Sequence, residues 1–153
     1  MNSIEAYLLN NEGENMKISE HFSLDEIKCH CGCGQAIVDK RLLEIAENFR
    51  EFVKNETGKE IPMITHCVNR CIEHNRKFLS QGASPNSLHI KGRAMDFHLP
   101  GLPMWKQHQL AKKARKAGIL PGGVGFYSWG IHIDSARSRT WGTFLNKKYK
   151  DTE

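Results

Sequence analysis

The chain has 153 residues, of which 39% are hydrophobic and 25% are charged, so it is long enough for one globular domain with its own core. Its net charge of +5 favours anionic partners such as nucleic acid, acidic lipid or a cell-wall polymer, although charge alone does not choose among them. A run of about 18 apolar residues is absent from the sequence, which excludes a membrane-spanning helix.

The N-terminal stretch does not have the apolar segment and small-residue exit site of a secretory signal peptide. We therefore expect synthesis in a cytoplasm, with export or release left to other proteins. Residues 1–18 are interpreted as a polar leader with little packing value, and residues 19–153 as a single domain that is a monomer.

Capping residues and hydrophobic periodicity predict two helices in the first half. Ser23 and Glu26 form a capping-box pattern at the start of a short helix. Further on, apolar residues recur at three- and four-residue steps over residues 38–53, which predicts an amphipathic helix. Asp39 is its expected N-cap and Gly58 its expected stop.

The second half of the chain mixes predicted strands and helices: a short buried strand (61–68), a short helix ending at Gly82 (71–80), a strand (93–99), a helix (102–118) and a hairpin (122–135). The hairpin turns near residues 128–130. This order of elements predicts an α+β domain in which helices flank a small mixed or antiparallel sheet.

Five cysteines are unevenly placed, at Cys29, Cys31, Cys33, Cys67 and Cys71. An odd number without a signal peptide argues against a disulfide framework. One hypothesis is a second, structural zinc ion, since Cys29 and Cys33 are four residues apart and "CVNRC" supplies another pair. Reduced, partly buried thiols in a glycine-rich turn are the default interpretation.

Two short segments each carry a histidine and an aspartate. In a strand over residues 130–135, His132 and Asp134 share one face while two isoleucines take the other. By the same rule Asp96 shares a face with His98, which is an alternative ligand. His89 precedes that strand in a glycine-containing approach. Two imidazoles and one carboxylate would leave a zinc ion a position for water. Spacing alone is equally consistent with polar residues on separate parts of the surface that share no ion.

Three segments in order resemble one known family. "SPNSLHIKGRAMDFHLPG" resembles the S-x-H-x-x-G-x-A-x-D signature of the zinc D-alanyl-D-alanine carboxypeptidases and peptidoglycan endopeptidases. That family includes bacteriophage endolysin domains and shares its metal site with the hedgehog signalling domain. Residues 64–87 are similar to its lead-in segment, and "GGVGFYSWGIHID" is similar to its G-G-[VI]-G-x-Y…H-[VI]-D segment. The similarity extends from Phe22 to Trp141.

The resemblance implies the fold of this family, with a zinc site in a cleft on the small sheet. His89, Asp96 and His132 would be the zinc ligands. Arg70 occupies the place of an arginine that binds a substrate carboxylate or orients the scissile carbonyl, for which a planar guanidinium is suited. Ser87 would bind substrate or cap its own turn.

Further residues are candidates with plain structural alternatives. Tyr127 would stabilise the oxyanion of a tetrahedral intermediate, or else be a core aromatic. Arg137 and Arg139 would bind substrate carboxylates, or else belong to a charged loop.

The sequence departs from the family at the catalytic base. Many members carry Glu or Asp three residues before the last histidine, where this chain has Trp129. Asp134 is the nearest carboxylate on the same face, so we predict that it is the general base. The alternative is that Asp134 orients His132 through the second ring nitrogen.

The resemblance thus implies a zinc metallopeptidase that hydrolyses bonds in peptidoglycan stems or cross-bridges, as carboxypeptidase or endopeptidase. A phage or prophage lysin, released through a holin or carried on a virion, would fit the absent signal peptide. The alternative is a non-catalytic, zinc-containing binding module for cell wall or a protein partner. Nucleic acid is not an expected partner, since basic residues are dispersed and no base-stacking motif is present.

Overall fold

A computed structural model describes residues 4–8, for which only the backbone is considered, and residues 16–142. Residues 1–3, 9–15 and 143–153, which include most of the predicted leader, lie outside the described residues. The helices are α1 (Leu24–Ile27), α2 (Lys40–Thr57), α3 (Ile72–Arg76) and α4 (Met104–Lys116). The strands are β1 (Ile4–Leu8), β2 (Gln35–Asp39), β3 (Ile64–Cys67), β4 (Ala94–His98), β5 (Gly123–Tyr127), β6 (Gly130–Asp134) and β7 (Arg139–Gly142).

Two sheets organise the described residues. The larger has the strand order β3-β4-β6-β5-β7, and its pairs are antiparallel except β5 with β7, which is parallel. The smaller is the antiparallel pair β1-β2. Helices flank a small mixed sheet, so the predicted α+β architecture is confirmed. No helix among the described residues is long and apolar enough to span a bilayer.

The longest helix, α2, confirms its predicted ends. Asp39 accepts a hydrogen bond from the Arg41 amide at 3.2 Å, and Gly58 closes the helix in the left-handed conformation at a φ of 73°. Its buried stripe comprises Leu42, Ile45, Ala46, Phe49 and Val53, with Leu43 beside it. The ring centroid of Phe49 lies 5.7 Å from that of Phe97 on β4, so the helix packs directly on the sheet.

The short helices also follow their local signals. In α1 the Ser23 amide donates to the Glu26 carboxylate at 2.8 Å, as a capping box requires. The predicted helix after Cys71 is interrupted, because α3 ends at Arg76 and a separate 3-10 turn, Leu79–Gln81, runs to Gly82.

Three predictions about strands need correction. Val38 does not begin the helical stripe but lies buried in β2. Strand β3 is not buried, because it is the edge of the sheet and Ile64 is 42% exposed. Strands β1 and β7 were not predicted at all. Strand β1 pairs with a strand that is distant in sequence, and β7 follows an irregular turn. Neither short segment therefore carries a local pattern that would predict it.

A close contact joins the small sheet to the segment before β4. Gly92 has a φ of 64°, and a Cβ at this position would lie 2.1 Å from the Ile37 carbonyl oxygen. Only glycine tolerates both the conformation and the approach. Its carbonyl accepts a hydrogen bond from the Asp39 amide at 2.9 Å, so the start of α2 and the start of β4 are fixed together.

Candidate metal centre

Strand pairing brings two of the predicted ligands opposite each other. Asp96 on β4 is the register partner of His132 on β6. Directly opposed residues in an antiparallel pair project from the same face, with Cβ atoms about 5 Å apart. His89 comes from a 3-10 turn, Leu88–Lys91, which leads into β4. Two strands and one turn therefore bring the three predicted ligands together.

The three side chains have donor atoms close enough to share one ion. His89 Nε2 lies 3.1 Å from Asp96 Oδ2, and His132 Nδ1 lies 2.8 Å from Asp96 Oδ1. One donor atom from each residue falls within 4.8 Å of the other two. Two imidazoles and one carboxylate are a donor set that suits Zn²⁺ and leaves a position for water. The residues present therefore fit the predicted zinc ion.

The alternative ligand His98 lies in a different cluster. Its Nδ1 is 2.7 Å from Nε2 of His66 on β3, and the two rings are 4.9 Å apart. The ring of His66 also meets Trp129 edge-on at 5.5 Å. The pair thus forms an aromatic cluster on the β3 side of the sheet, apart from the three ligands.

Backbone contacts orient the first histidine. His89 Nδ1 is 3.0 Å from the Val68 carbonyl oxygen, so this nitrogen carries the proton and Nε2 presents its lone pair to the site. The carbonyl of His89 in turn accepts hydrogen bonds from the Arg70 amide and the Asn69 side chain, both at 3.0 Å. Residues 68–70 therefore hold His89 from two sides.

Asp134 holds the second histidine. Its Oδ2 lies 2.9 Å from His132 Nε2, which leaves Nδ1 of that ring facing Asp96. Arg139 donates to both Asp134 oxygens, at 2.8 and 3.1 Å, and the amides of Gly123 and Ala136 donate to Oδ1. The Asp134 side chain has no exposed surface. This geometry favours the orienting role for Asp134 over the role of a base that must reach a water molecule.

The electrostatics of the site favour charged side chains. Burial alone would lower the pKa of His89, but its hydrogen bonds to Asp96 and Cys67 outweigh burial and raise the pKa to about 10. Burial alone would raise the pKa of Asp96, but hydrogen bonds from His132 and His89 hold it below its usual range. The pKa of Asp134 is also lowered, since His132 and Arg139 outweigh its burial. Both carboxylates are therefore ionised at neutral pH, as metal binding requires, whereas a metal ion would have to displace the Nε2 proton that the raised pKa of His89 retains without it.

Arg70 and Ser87 meet beside the ligands. The Arg70 guanidinium donates to Asn75 Oδ1 at 3.0 Å and to Ser87 Oγ at 3.4 Å, and it lies 5.3 Å from the Phe78 ring centroid. Ser87 Oγ also accepts from the His89 amide at 3.3 Å, so its capping role is present. A pocket of about 130 Å³ opens here and is lined by Arg70, Phe78, His66, Cys67, Asn69, His30 and His74.

Aromatic residues cover the other side of the site. Gly125 is the register partner of both His132 and Trp141, and a Cβ on Gly125 would overlap the indole ring. The Trp141 ring therefore lies across Gly125 and reaches the His132 ring at 4.8 Å. Its Nε1 donates to the Tyr127 hydroxyl at 2.6 Å, and Tyr127 stacks on the half-exposed Trp129 at 5.0 Å.

Of the two arginines after β6, only one contacts the described site. Arg139 is the ion-pair partner of Asp134, whereas Arg137 is exposed on the loop and its carbonyl accepts from Arg139. The Arg139–Asp134 pair and the Trp141 contact were missed from the sequence. Both depend on β7, whose pairing with β5 has no local sequence signal.

A more spacious groove of the described surface lies elsewhere. It has a volume of about 710 Å³ and lies along α4, where its lining is mainly lysine and arginine. It contains none of the predicted site residues. Arg70 therefore lines the small pocket rather than this groove.

Two buried histidines, each oriented by a second contact, and an aspartate between them are typical of a metal-dependent hydrolase. Residues 20–134 match the family described as Peptidase M15. The chain therefore belongs to the peptidase M15 family, as the resemblance predicted.

Curated proteins similar to this chain carry the name of a peptidoglycan endopeptidase. The chain is 41% identical over 100 residues to a protein of Haemophilus influenzae named probable peptidoglycan L,D-endopeptidase MepK, covering 61% of this chain and 51% of the relative. It is 25% identical over 139 residues to the peptidoglycan L,D-endopeptidase MepK of Escherichia coli, covering 76% of this chain and 74% of the relative. The chain thus spans about half the length of the first relative. No solved structure matches the chain significantly.

Proposed function

We propose that the protein is a zinc-dependent endopeptidase that cleaves peptide bonds in bacterial peptidoglycan, and that it cuts between an L- and a D-centre. The observation that carries the proposal is the convergence of His89, Asp96 and His132 within the matched family region. The names of the two relatives support the substrate and the type of bond. A carboxypeptidase would use the same ligands and is separated from an endopeptidase by its products.

The ligands and their partners have distinct tasks. His89, Asp96 and His132 would hold the ion, which when bound acidifies a water molecule and polarises the scissile carbonyl. Val68 and Asp134 fix the two imidazole rings so that His89 Nε2 and His132 Nδ1 point at the site. Asp134 as general base stays a prediction, and its full set of hydrogen bonds supports the orienting role instead.

Three residues are proposed to act on the substrate. Arg70 is held flat by Asn75 and Phe78 at the wall of the small pocket, which supports its predicted role in binding a carboxylate. The Tyr127 hydroxyl accepts from Trp141, so its own hydrogen is left to donate to an oxyanion. Arg137 is exposed at the end of β6 and would meet more distant carboxylates of the polymer.

We also propose that the protein is a phage or prophage lysin of the endolysin type. In this proposal it reaches the wall after release through a holin-type pore or as part of a virion. The support is the resemblance of its motifs to phage endolysin domains.

The test is digestion of purified peptidoglycan with identification of the released fragments by mass spectrometry. Wild type, wild type with chelator and zinc add-back, and the His89→Ala variant are compared. We expect cross-linked fragments to be split by wild type, and this activity to be lost with chelator and regained with zinc. Release of terminal D-alanine alone would mean a carboxypeptidase, and no product from several wall types would contradict hydrolysis.

One observation favours the non-catalytic alternative. Trp129 replaces the acidic residue that many family members carry three positions before the last histidine, and its ring stacks on Tyr127. An exposed aromatic surface beside a metal site suits binding of a sugar or peptide without hydrolysis. Retention of the protein on insoluble wall without any released fragment would establish this binding module.

A further inference from the structure

Four of the five cysteines converge although they come from distant parts of the chain. Cys29, Cys31 and Cys33 lie in the turn between α1 and β2, and Cys71 immediately precedes α3. Their four sulfur atoms all lie within 4.8 Å of one another. The fifth, Cys67, lies on β3 outside this group. We call the four residues the cysteine cluster.

The sulfur distances distinguish two kinds of chemistry. Cys31 Sγ is 3.5 Å from Cys29 Sγ and 3.6 Å from Cys71 Sγ. A disulfide needs a separation of about 2.05 Å. Four sulfurs placed tetrahedrally around a zinc ion, with Zn–S bonds of about 2.3 Å, are about 3.8 Å apart. The cluster has the spacing of a zinc site and not that of a bonded pair.

Hydrogen-bond donors point at the sulfurs. The amides of Cys71, His74 and Gln35 donate to the sulfurs of Cys29, Cys71 and Cys33, at 3.3, 3.3 and 3.4 Å respectively. His74 Nδ1 is a further 3.3 Å contact of Cys29. Such donors stabilise negative charge on sulfur, and the thiolate is the form that binds a metal. The cluster thus has hydrogen-bond donors in place for the thiolates that a bound metal ion would require.

The turn that carries three of the ligands is shaped by glycine. Gly32 and Gly34 have φ values of 85° and 82°, which side-chain-bearing residues rarely adopt. Gly32 lies between Cys31 and Cys33 and reverses the chain there, and Gly34 turns it again toward β2, so the three cysteines of the turn bring their sulfurs together.

We propose that Cys29, Cys31, Cys33 and Cys71 bind a structural Zn²⁺ ion, separate from the ion at the His89 site. Four thiolates are the ligand set of closed structural zinc sites, and they leave no position for water or substrate. The ion would join the turn before β2 to the start of α3, two segments that are about 40 residues apart in the sequence.

The position of the cluster indicates what this ion would support. Cys71 directly follows residues 68–70, whose Val68 carbonyl, Asn69 side chain and Arg70 amide contact His89. The ion would therefore anchor the segment that orients a catalytic ligand and carries Arg70. This positioning role rests on the proposed function, whereas the binding of the ion does not.

Metal content of the full chain tests the site directly. Purified from zinc-containing medium, wild type should hold two zinc ions per chain, and the Cys31→Ser and Cys33→Ser variants one each. Both thiols are exposed, so serine there removes a ligand without removing core packing. His89→Ala should also hold one ion. His30→Ala, an exposed residue between two of the ligands, is the matched control and should retain two.

Spectroscopy and thiol chemistry identify which ion is lost. Cobalt(II)-substituted His89→Ala should keep a thiolate-to-metal charge-transfer absorption, and cobalt-substituted Cys31→Ser should lose most of it. Cys31 and Cys33 should resist alkylation until a chelator is added, and since both are exposed, burial cannot protect them. Circular dichroism checks that each variant is folded.

Clear outcomes would overturn the proposal. One zinc ion per chain in wild type, together with rapid alkylation of Cys31 and Cys33, would mean free thiols. If the protein isolated without reductant has a mass two hydrogens below that of the fully reduced chain, two of its cysteines form a disulfide instead. Two ions without peptidoglycan hydrolysis would contradict the proposed function and leave the cysteine site intact, so the two failures are distinguishable.

Discussion

The His89 site and the cysteine cluster are both compact groups of metal-binding side chains, but they are built in opposite ways. The first is assembled by strand register in the middle of the sheet, and its ligands His89 and His132 are 6% and 11% exposed. The second is assembled by a glycine-rich turn at the surface, where Cys31 and Cys33 are exposed. Two strands and a turn hold the first set of ligands inside the core, whereas the second set joins two segments that are distant in the sequence.

This difference predicts a division of labour. A site with three protein ligands in a rigid sheet keeps a position for reactants, which suits catalysis. A site with four thiolates that joins two distant segments gains stability from its ion, which suits a structural role. Loss of the first ion should remove activity and leave the fold intact. Loss of the second ion should mainly lower the stability of the fold and have a smaller effect on activity.

The largest effect is expected at the first site. His89→Ala should lower kcat/KM by about 10³-fold or more, since the lost ion contributes several kcal/mol of transition-state stabilisation. In chelator, where neither protein holds an ion, its melting temperature should stay within a few degrees of that of wild type, because the core residues around the sheet are unchanged. Peptidoglycan hydrolysis and thermal unfolding are measured on the same sample. A variant that retained a tenth of the activity would exclude His89 as an essential ligand.

The second effect concerns stability. Cys31→Ser should lower the free energy of unfolding by about 3 kcal/mol. A bound ion contributes this much stability when the free zinc concentration exceeds the dissociation constant of the site by about a hundredfold or more. For a domain of this size that is a fall of about 10 °C in melting temperature. Thermal unfolding with and without chelator measures it. His30→Ala should melt as wild type does, and equal melting of Cys31→Ser and wild type would contradict a stabilising ion.

The third prediction separates the two roles of Asp134. If Asp134 orients His132, Asp134→Asn should weaken zinc binding about 10- to 100-fold and recover activity when zinc is added in excess. If it is the general base, zinc affinity should hold while kcat falls about 10²- to 10⁴-fold at every zinc concentration. We expect the first result, because both oxygens of Asp134 are fully engaged by other donors. Zinc titration with parallel kinetics distinguishes them.

The two sites also differ in how well sequence reasoning finds them. Asp96, His132 and Asp134 follow from strand alternation and a recognisable motif order, and the ends of α2 follow from Asp39 and Gly58. These features depend on local rules, in which period and capping residues are visible within a few positions. The fold class was predictable for the same reason.

Long-range pairing explains what was missed. The cysteine spacing suggested a zinc site with Cys67 and Cys71 as its second pair, but only Cys71 joins the turn. Which of the two does so depends on how the chain packs over long range, and the spacing does not show that. The partner of Asp134 was found only with β7, whose parallel pairing with β5 places Arg139 beside the carboxylate. Local propensity carries no information on such contacts.

The smallest effect tests whether the two sites communicate through Arg70. Cys31→Ser should reduce kcat/KM about fivefold beyond its effect on stability, because the segment that carries Arg70 and contacts His89 loses its anchor. Arg70→Ala should reduce it further, through the lost guanidinium. Measurements are made well below the melting temperature of every variant, so that unfolding does not contribute.

The double variant decides the mechanism of that coupling. If the structural ion acts by positioning Arg70, then Cys31→Ser should hardly lower kcat/KM further in a protein that already carries Arg70→Ala. The combined loss in the double variant should then be smaller than the sum of the two single losses by about 1 kcal/mol, a coupling typical of residues that share partners. Lys113→Ala, which removes the exposed ion pair of Lys113 on α4 with Glu56 on α2, is the control and should be additive with Arg70→Ala. Full additivity of Cys31→Ser and Arg70→Ala would mean that the ion supports the site through His89 and its backbone contacts, independently of the arginine.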